Sequence, residues 1–127
     1  MSEVRDELFY TKDHEWIHIL ENYAYVGITD YAQSELGEIV FVDVPTVGEE
    51  VAQFETFGSI EAVKTVADLN MPMSGKVIMV NSYLDEKPDY VNSLPYDAGW
   101  LIQVEVLNMD ETKNLMTAEE YRKFIGE

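Results

Sequence analysis

Short β-branched and aromatic runs, cut apart by polar, Gly and Pro turns, dominate this chain and predict strands in preference to long helices. Residues 16–20 (Trp-Ile-His-Ile-Leu) and 23–28 (Tyr-Ala-Tyr-Val-Gly-Ile) read as a hairpin turning at Glu21-Asn22. Thr29 then caps a short helix over 30–36, with Asp30 well placed in its first turn and Gly37 at its end. Strand character returns at 38–44, stops at Pro45, and resumes toward Val51 after a turn containing Gly48. Residues 60–63 and 65–67 form two hairpin arms meeting near Val63-Lys64. A strand at 75–80 follows the break at Pro72 and Ser74-Gly75, and 100–106 closes the sheet region beyond looped sequence around Pro88 and Pro95. The end of the chain, 117–125, is helical through a capping box of Thr117 and Glu120, with Tyr121, Phe124 and Ile125 on one face that is expected to pack on the barrel. The sum is an all-β-dominated fold, a flattened β-barrel or sandwich hybrid with one short internal and one C-terminal helix.

The 127 residues suffice for one domain, expected to span 1–127 and to bury roughly two thirds of its unfolded surface. Eight basic residues against 25 acidic ones give a formal charge of −17, which repels phosphate backbones and anionic bilayers. Neither nucleic acid nor a membrane is therefore an expected partner. The chain has no cysteine, which removes disulfides, thiolate metal sites and thiol nucleophiles, and fits the cytosol best. No apolar run approaches the 18 or so residues of a membrane span, and residues 1–6 lack a signal peptide's apolar region, so no export signal is expected.

Candidate chemistry concentrates at one cation. Lys64 is the only Lys or Arg between Lys12 and Lys76, in a stretch rich in acids. It stands where the two arms meet, yet no Asn-Gly or Asp-Gly supplies the turn, and such breaches of local turn chemistry tend to mark functional sites. Other chemistries lack support. His14 and His18 are four apart in a strand-like segment, a spacing that could pair them on one face, but no third His, HExxH or Cys joins them, so no metal is assigned. Gly27, Gly37, Gly48 and Gly58 are scattered at strand ends without a phosphate-cradling grouping. Ser59 and Ser74 lack a nucleophile elbow, and Glu49-Glu50 reads as a solvated turn. No self-contained catalytic site is visible.

Five separated blocks, in order, carry a resemblance: Tyr10-Thr11-Lys12-Asp13-His14-Glu15-Trp16, Gly27-Ile28-Thr29-Asp30-Tyr31-Ala32-Gln33, Leu36-Gly37-Glu38-Ile39-Val40-Phe41-Val42, Glu61-Ala62-Val63-Lys64 and Gly99-Trp100-Leu101. Together they resemble the glycine cleavage system H protein family over almost the whole chain. The resemblance implies a fold of the lipoyl/biotinyl carrier type, with lipoic acid in amide linkage to Lys64. Biotin fits less well, because Val63 and Thr65 flank Lys64 where a biotinyl carrier has Met on both sides. It also implies a shuttle that takes an aminomethyl group from a pyridoxal-phosphate glycine decarboxylase to a tetrahydrofolate-dependent aminomethyltransferase and is reoxidised by dihydrolipoyl dehydrogenase. Glu61 and Gly75 are implied in recognition by the lipoate-attaching enzyme, and Glu15 and Asp68, with Asp13 beside them, in a cleft that shelters the loaded arm. Ala62 departs from the family's usual Ser, leaving the lysine intact. The alternative is a lipoate-relay or regulatory paralogue of the same fold. The implied location is the bacterial cytoplasm, or the mitochondrial matrix for a processed eukaryotic chain.

Overall fold

The computed structural model describes residues 2–127. Among these residues nine strands form: β1 (Phe9–Tyr10), β2 (Glu15–Leu20), β3 (Tyr23–Ile28), β4 (Ile39–Asp43), β5 (Glu50–Val51), β6 (Thr56–Ala62), β7 (Val66–Asn70), β8 (Gly75–Val80) and β9 (Ile102–Val106). They are joined by three short α-helices, α1 (Asp30–Leu36), α2 (Tyr90–Ser93) and α3 (Ala118–Phe124), and by 3-10 turns at Ser82–Asp85 and Met109–Asn114. The strands make two antiparallel sheets: a six-stranded one in the order β1-β2-β3-β9-β8-β5, and a three-stranded one in the order β4-β6-β7. Of the two expected forms the sandwich holds; the sheets do not close into a barrel, and β7 is left as an edge.

Apolar side chains from both sheets meet between them. Ile17 and Val26 of the larger sheet, Ile60 and Leu69 of the smaller, and Met71 and Met73 from the connection to β8 are almost wholly buried in one core. Each such side chain contributes about 1.5–3 kcal/mol by leaving water. A second cluster seals one end, where the Tyr10 ring of β1 stacks on Tyr121 of α3 with centroids 4.5 Å apart, beside Trp16 and Tyr96. The C-terminal helix thus docks on the edge of the large sheet, held at its start by the Thr117–Glu120 capping box.

Local expectations hold where short-range chemistry decides them. Thr29 accepts a hydrogen bond from Ala32 N–H to start α1, and Gly37 ends it at φ 81°, a left-handed conformation glycine adopts without strain. The turn at Glu21 is left-handed as well, at φ 59°. One strand expectation fails at His14, which lies before β2 at φ 68°. A left-handed residue breaks the alternation, so His14 and His18 do not stand as a strand pair; the His14 ring turns instead to Tyr121, whose hydroxyl is 2.8 Å from Nδ1. Among the described residues no group of three or more His, Asp or Glu is placed to share a metal ion.

Candidate functional site

The β6–β7 hairpin carries Lys64 at its exposed tip. Neither Val63 nor Lys64 has a positive φ, so the turn forms without the left-handed residues that Asn-Gly would supply. Two hydrogen bonds hold it: Ala62 N–H donates to Thr65 O at 2.7 Å, and Val63 N–H donates to Glu38 O at 2.9 Å. The second ties the tip to the segment leaving α1. Val63 and Val66 are 71% and 63% exposed, so two β-branched apolar side chains flank the lysine in water. Among the described residues the Lys64 amine makes no ion pair. Its stem lies by the end of α1, where a Cβ added to Gly37 would sit 3.5 Å from Lys64 Cε and 3.9 Å from Nζ.

Beside the hairpin a cavity of about 330 Å³ opens between the edge of β7, helix α1 and the turn before β2. Its walls are largely apolar: Ile60, Ala67 and Leu69 from the small sheet face Ile28, Ala32 and Leu36. Polar groups come from Asp13, His14, Glu15, Tyr31, Glu35 and Asp68. Three separate parts of the sequence therefore converge here, including the acids at 13, 15 and 68.

These acids differ in kind. Glu15 is 2% exposed; it accepts from Thr11 Oγ1 at 2.6 Å and from the backbone N–H of Asn70 at 3.1 Å. Burial pushes its carboxyl up to about 8, against the opposing pull of those hydrogen bonds. At neutral pH Glu15 is mostly a neutral acid. Asp68 is exposed on the outer face of its sheet, in register with Ser59 and, through it, Asp43, and meets the cavity at its rim. Asp13, also exposed, accepts from Asn70 Nδ2 at 3.2 Å, so the carboxyl groups of Asp13 and Glu15 both fasten to Asn70.

A network missed in the sequence braces the floor. Tyr121, fully buried, shares its hydroxyl between His14 Nδ1 and the Thr29 hydroxyl, each at 2.8 Å. Burial lowers the pKa of His14, which favours a neutral ring against Tyr31 at 4.8 Å between centroids. Only the apolar face of the last helix signalled that Tyr121 turns inward; its partners lie more than 90 residues away.

Glu61 and Gly75 are not brought together. Glu61 is exposed on β6, three residues before Lys64, in register with Phe41 and Val66. Gly75 is buried in the other sheet, between Val51 and Val106. Its φ is not left-handed; what it requires is space, since a Cβ there would stand 2.9 Å from the carbonyl oxygen of Glu105 and 3.4 Å from Met71 Cε. A glycine is required here by the close approach of its neighbours and not by a special backbone angle.

Comparison with known proteins agrees with the geometry. The profile of the family described as glycine cleavage H-protein matches residues 8–127. A curated relative from Halalkalibacterium halodurans, named glycine cleavage system H protein, is 50% identical over 127 residues, which are 100% of this chain and 99% of the relative. The crystal structure of a glycine cleavage system H protein from Mycobacterium marinum matches with a TM-score of 0.86 at 38% identity, covering 98% of this chain and 100% of that one.

Proposed function

The chain belongs to the glycine cleavage H-protein family, and from that premise we propose that it is the lipoyl-bearing shuttle of glycine cleavage, a non-catalytic carrier formed by a single domain over residues 1–127. Lys64 carries lipoic acid as an amide on Nζ. The partners are the glycine decarboxylase, the aminomethyltransferase, dihydrolipoyl dehydrogenase and the lipoate-attaching enzyme, met in the cytoplasm. The observation that carries the reading is the pairing of an exposed lysine at a hairpin tip, without an ion pair among the described residues, with a mostly apolar cavity whose polar lining includes Glu15, Asp13 and Asp68.

The residues present fit such a group. Ile28, Ala32, Leu36, Ile60, Ala67 and Leu69 offer apolar surface to a hydrocarbon arm, and the acids offer partners to an amine at its end. When bound, the lipoyl group supplies a redox-active disulfide that carries a one-carbon unit between enzymes. The protein's own part is to position and shelter. Val63 and Val66 keep the tip open to the attaching enzyme, with Glu61 beside it as a recognition contact; Gly75 supports recognition from a distance by keeping the strands correctly packed. Tethering raises the arm's concentration at each active site without any new contact. Asp68 and Asp13 stand exposed at the cavity to meet a cation, whereas Glu15 becomes a full carboxylate only when a positive charge displaces its proton. A charge-assisted hydrogen bond of this kind contributes about 1.5–3 kcal/mol.

Lys64→Arg tests the reading. Arginine keeps the charge but does not form the amide. The variant is expected to melt like the wild type, to take no lipoate from a lipoate ligase, and to support no glycine decarboxylation. Retained shuttle activity in Lys64→Arg contradicts the proposal.

A further inference from the structure

The edge strand β7 offers backbone groups that its own sheet does not use. Because Ala62 N–H donates to Thr65 O, residues 62 and 65 face each other as a hydrogen-bonded pair of the β6–β7 ladder. Antiparallel ladders alternate, so Ala67 bonds inward to Ile60, while Val66 and Asp68, paired with Glu61 and Ser59, point their N–H and C=O groups away from β6. Asn70 gives an independent check of the phase: two residues beyond Asp68, its N–H leaves the sheet and donates to Glu15 Oε2 at 3.1 Å. The third outward N–H on this edge is thus satisfied by a side chain. The outward N–H groups of Val66 and Asp68 have no such partner among the described residues, and Asp68 borders the cavity.

The lysine stands at the start of this edge. Its stem lies by Gly37 at the end of α1, on the side where Ala67, Asp68 and Leu69 face Leu36 across the cavity. At roughly 3.3 Å of rise per residue, Val66 and Asp68 lie about 7 and 13 Å from Lys64 along the strand. The first distance matches the reach of the lysine's four methylenes and Nζ, where an acyl amide begins; the second lies beyond that amide, along the acyl chain.

We infer that the edge of β7 is an amide-reading subsite: the outward backbone N–H of Val66 donates to the carbonyl of the secondary amide that acylation creates on Lys64 Nζ. The inference rests on the carrier reading above. It adds a contact that exists only in the acylated protein, is made by the backbone, and needs no particular side chain at position 66. It also sets the arm's register, so that the atoms beyond the amide run past Ala67 and Leu69 toward Glu15. An unmodified lysine lacks the acceptor, and its cation stays in water.

Backbone amide hydrogen exchange, followed by NMR on the unmodified, lipoylated and aminomethyl-loaded full chain, tests this. Peptide mapping first establishes where acylation occurs. Acylation away from Lys64 overturns the carrier reading itself. With Lys64 acylated, Val66 N–H is expected to exchange at least about tenfold more slowly in the loaded form than in the unmodified one, independently of protein concentration. Unchanged exchange at Val66 overturns the inference and leaves the carrier reading standing. Protection that grows with protein concentration also overturns it, since a second copy would then be pairing with the edge. Val66→Pro provides the complementary arm, because proline is tolerated where an edge N–H faces outward. The variant should still melt cooperatively and accept lipoate, yet release the loaded group about threefold to tenfold faster, the worth of one hydrogen bond. Wild-type release from folded, acylated Val66→Pro overturns the assignment.

Discussion

The hairpin tip and the cavity floor lie beside one another and are built on opposite plans. At the tip, Val63 and Val66 are mostly exposed, Lys64 makes no ion pair among the described residues, and two backbone hydrogen bonds fix the turn. At the floor, Glu15, Thr11, Thr29 and Tyr121 are each 2% exposed or less, and every polar group there has a partner. A group that several enzymes must reach has to stand in water. A pocket that protects a reactive amine has to be ordered before the amine arrives, because each group immobilised on arrival weakens the capture.

Substitutions at the two regions should therefore separate. Lys64→Arg at the tip has the largest expected functional effect, complete loss of acylation, with no change in melting. Glu15→Gln at the floor should act on stability and on its pH dependence. A buried acid whose folded pKa is about 8, well above its unfolded value, binds its proton more tightly in the folded state. Folding is then progressively destabilised as pH rises from the ordinary carboxylate range to about 8, by on the order of 3 kcal/mol at pH 7. Glu15→Gln should remove that part of the slope. Denaturant titrations at several pH values check this, and an unchanged slope would show that Glu15 is charged at rest.

Gly75→Val probes packing away from both regions. Overfilling the space beside the Glu105 carbonyl should cost about 1–3 kcal/mol and slow lipoylation, with Gly75→Ala milder. Calorimetry alongside the acylation rate reads both, and wild-type values for Val would show that the strands yield easily. The smallest effect belongs to Asp68→Asn. As an exposed rim charge it should change stability by less than about 1 kcal/mol while still hastening loss of the loaded amine. Release measured beside Glu15→Gln should rank the buried acid above the rim acid; the reverse order would place the amine at the rim.

The tip was legible in the sequence because a hairpin is local. The β-branched arms, the solitary lysine and the missing turn glycine all lie within a few residues, as do Thr29 with Gly37 around α1 and Thr117 with Glu120 at α3. The floor was legible only through resemblance. Glu15 reads as one acid among 25, and its burial follows from Asn70 and from helices that pack across the chain. His14 looked like strand because nothing in its neighbours announces a left-handed residue, and β1, two residues long, and α2, one turn, are too short to leave a periodic pattern. Openness of the sheets was equally invisible, since closure depends on how strands tilt and not on which residues compose them.

The central claim is that this chain presents one lysine for acylation. Incubating the purified protein with a lipoate ligase, lipoate and ATP, and mapping its peptides by mass spectrometry, tests it directly. The account predicts a single lipoyl group on Lys64 and none on the other five lysines; modification at Lys12 or Lys76, or none at Lys64 in a folded sample, would contradict it.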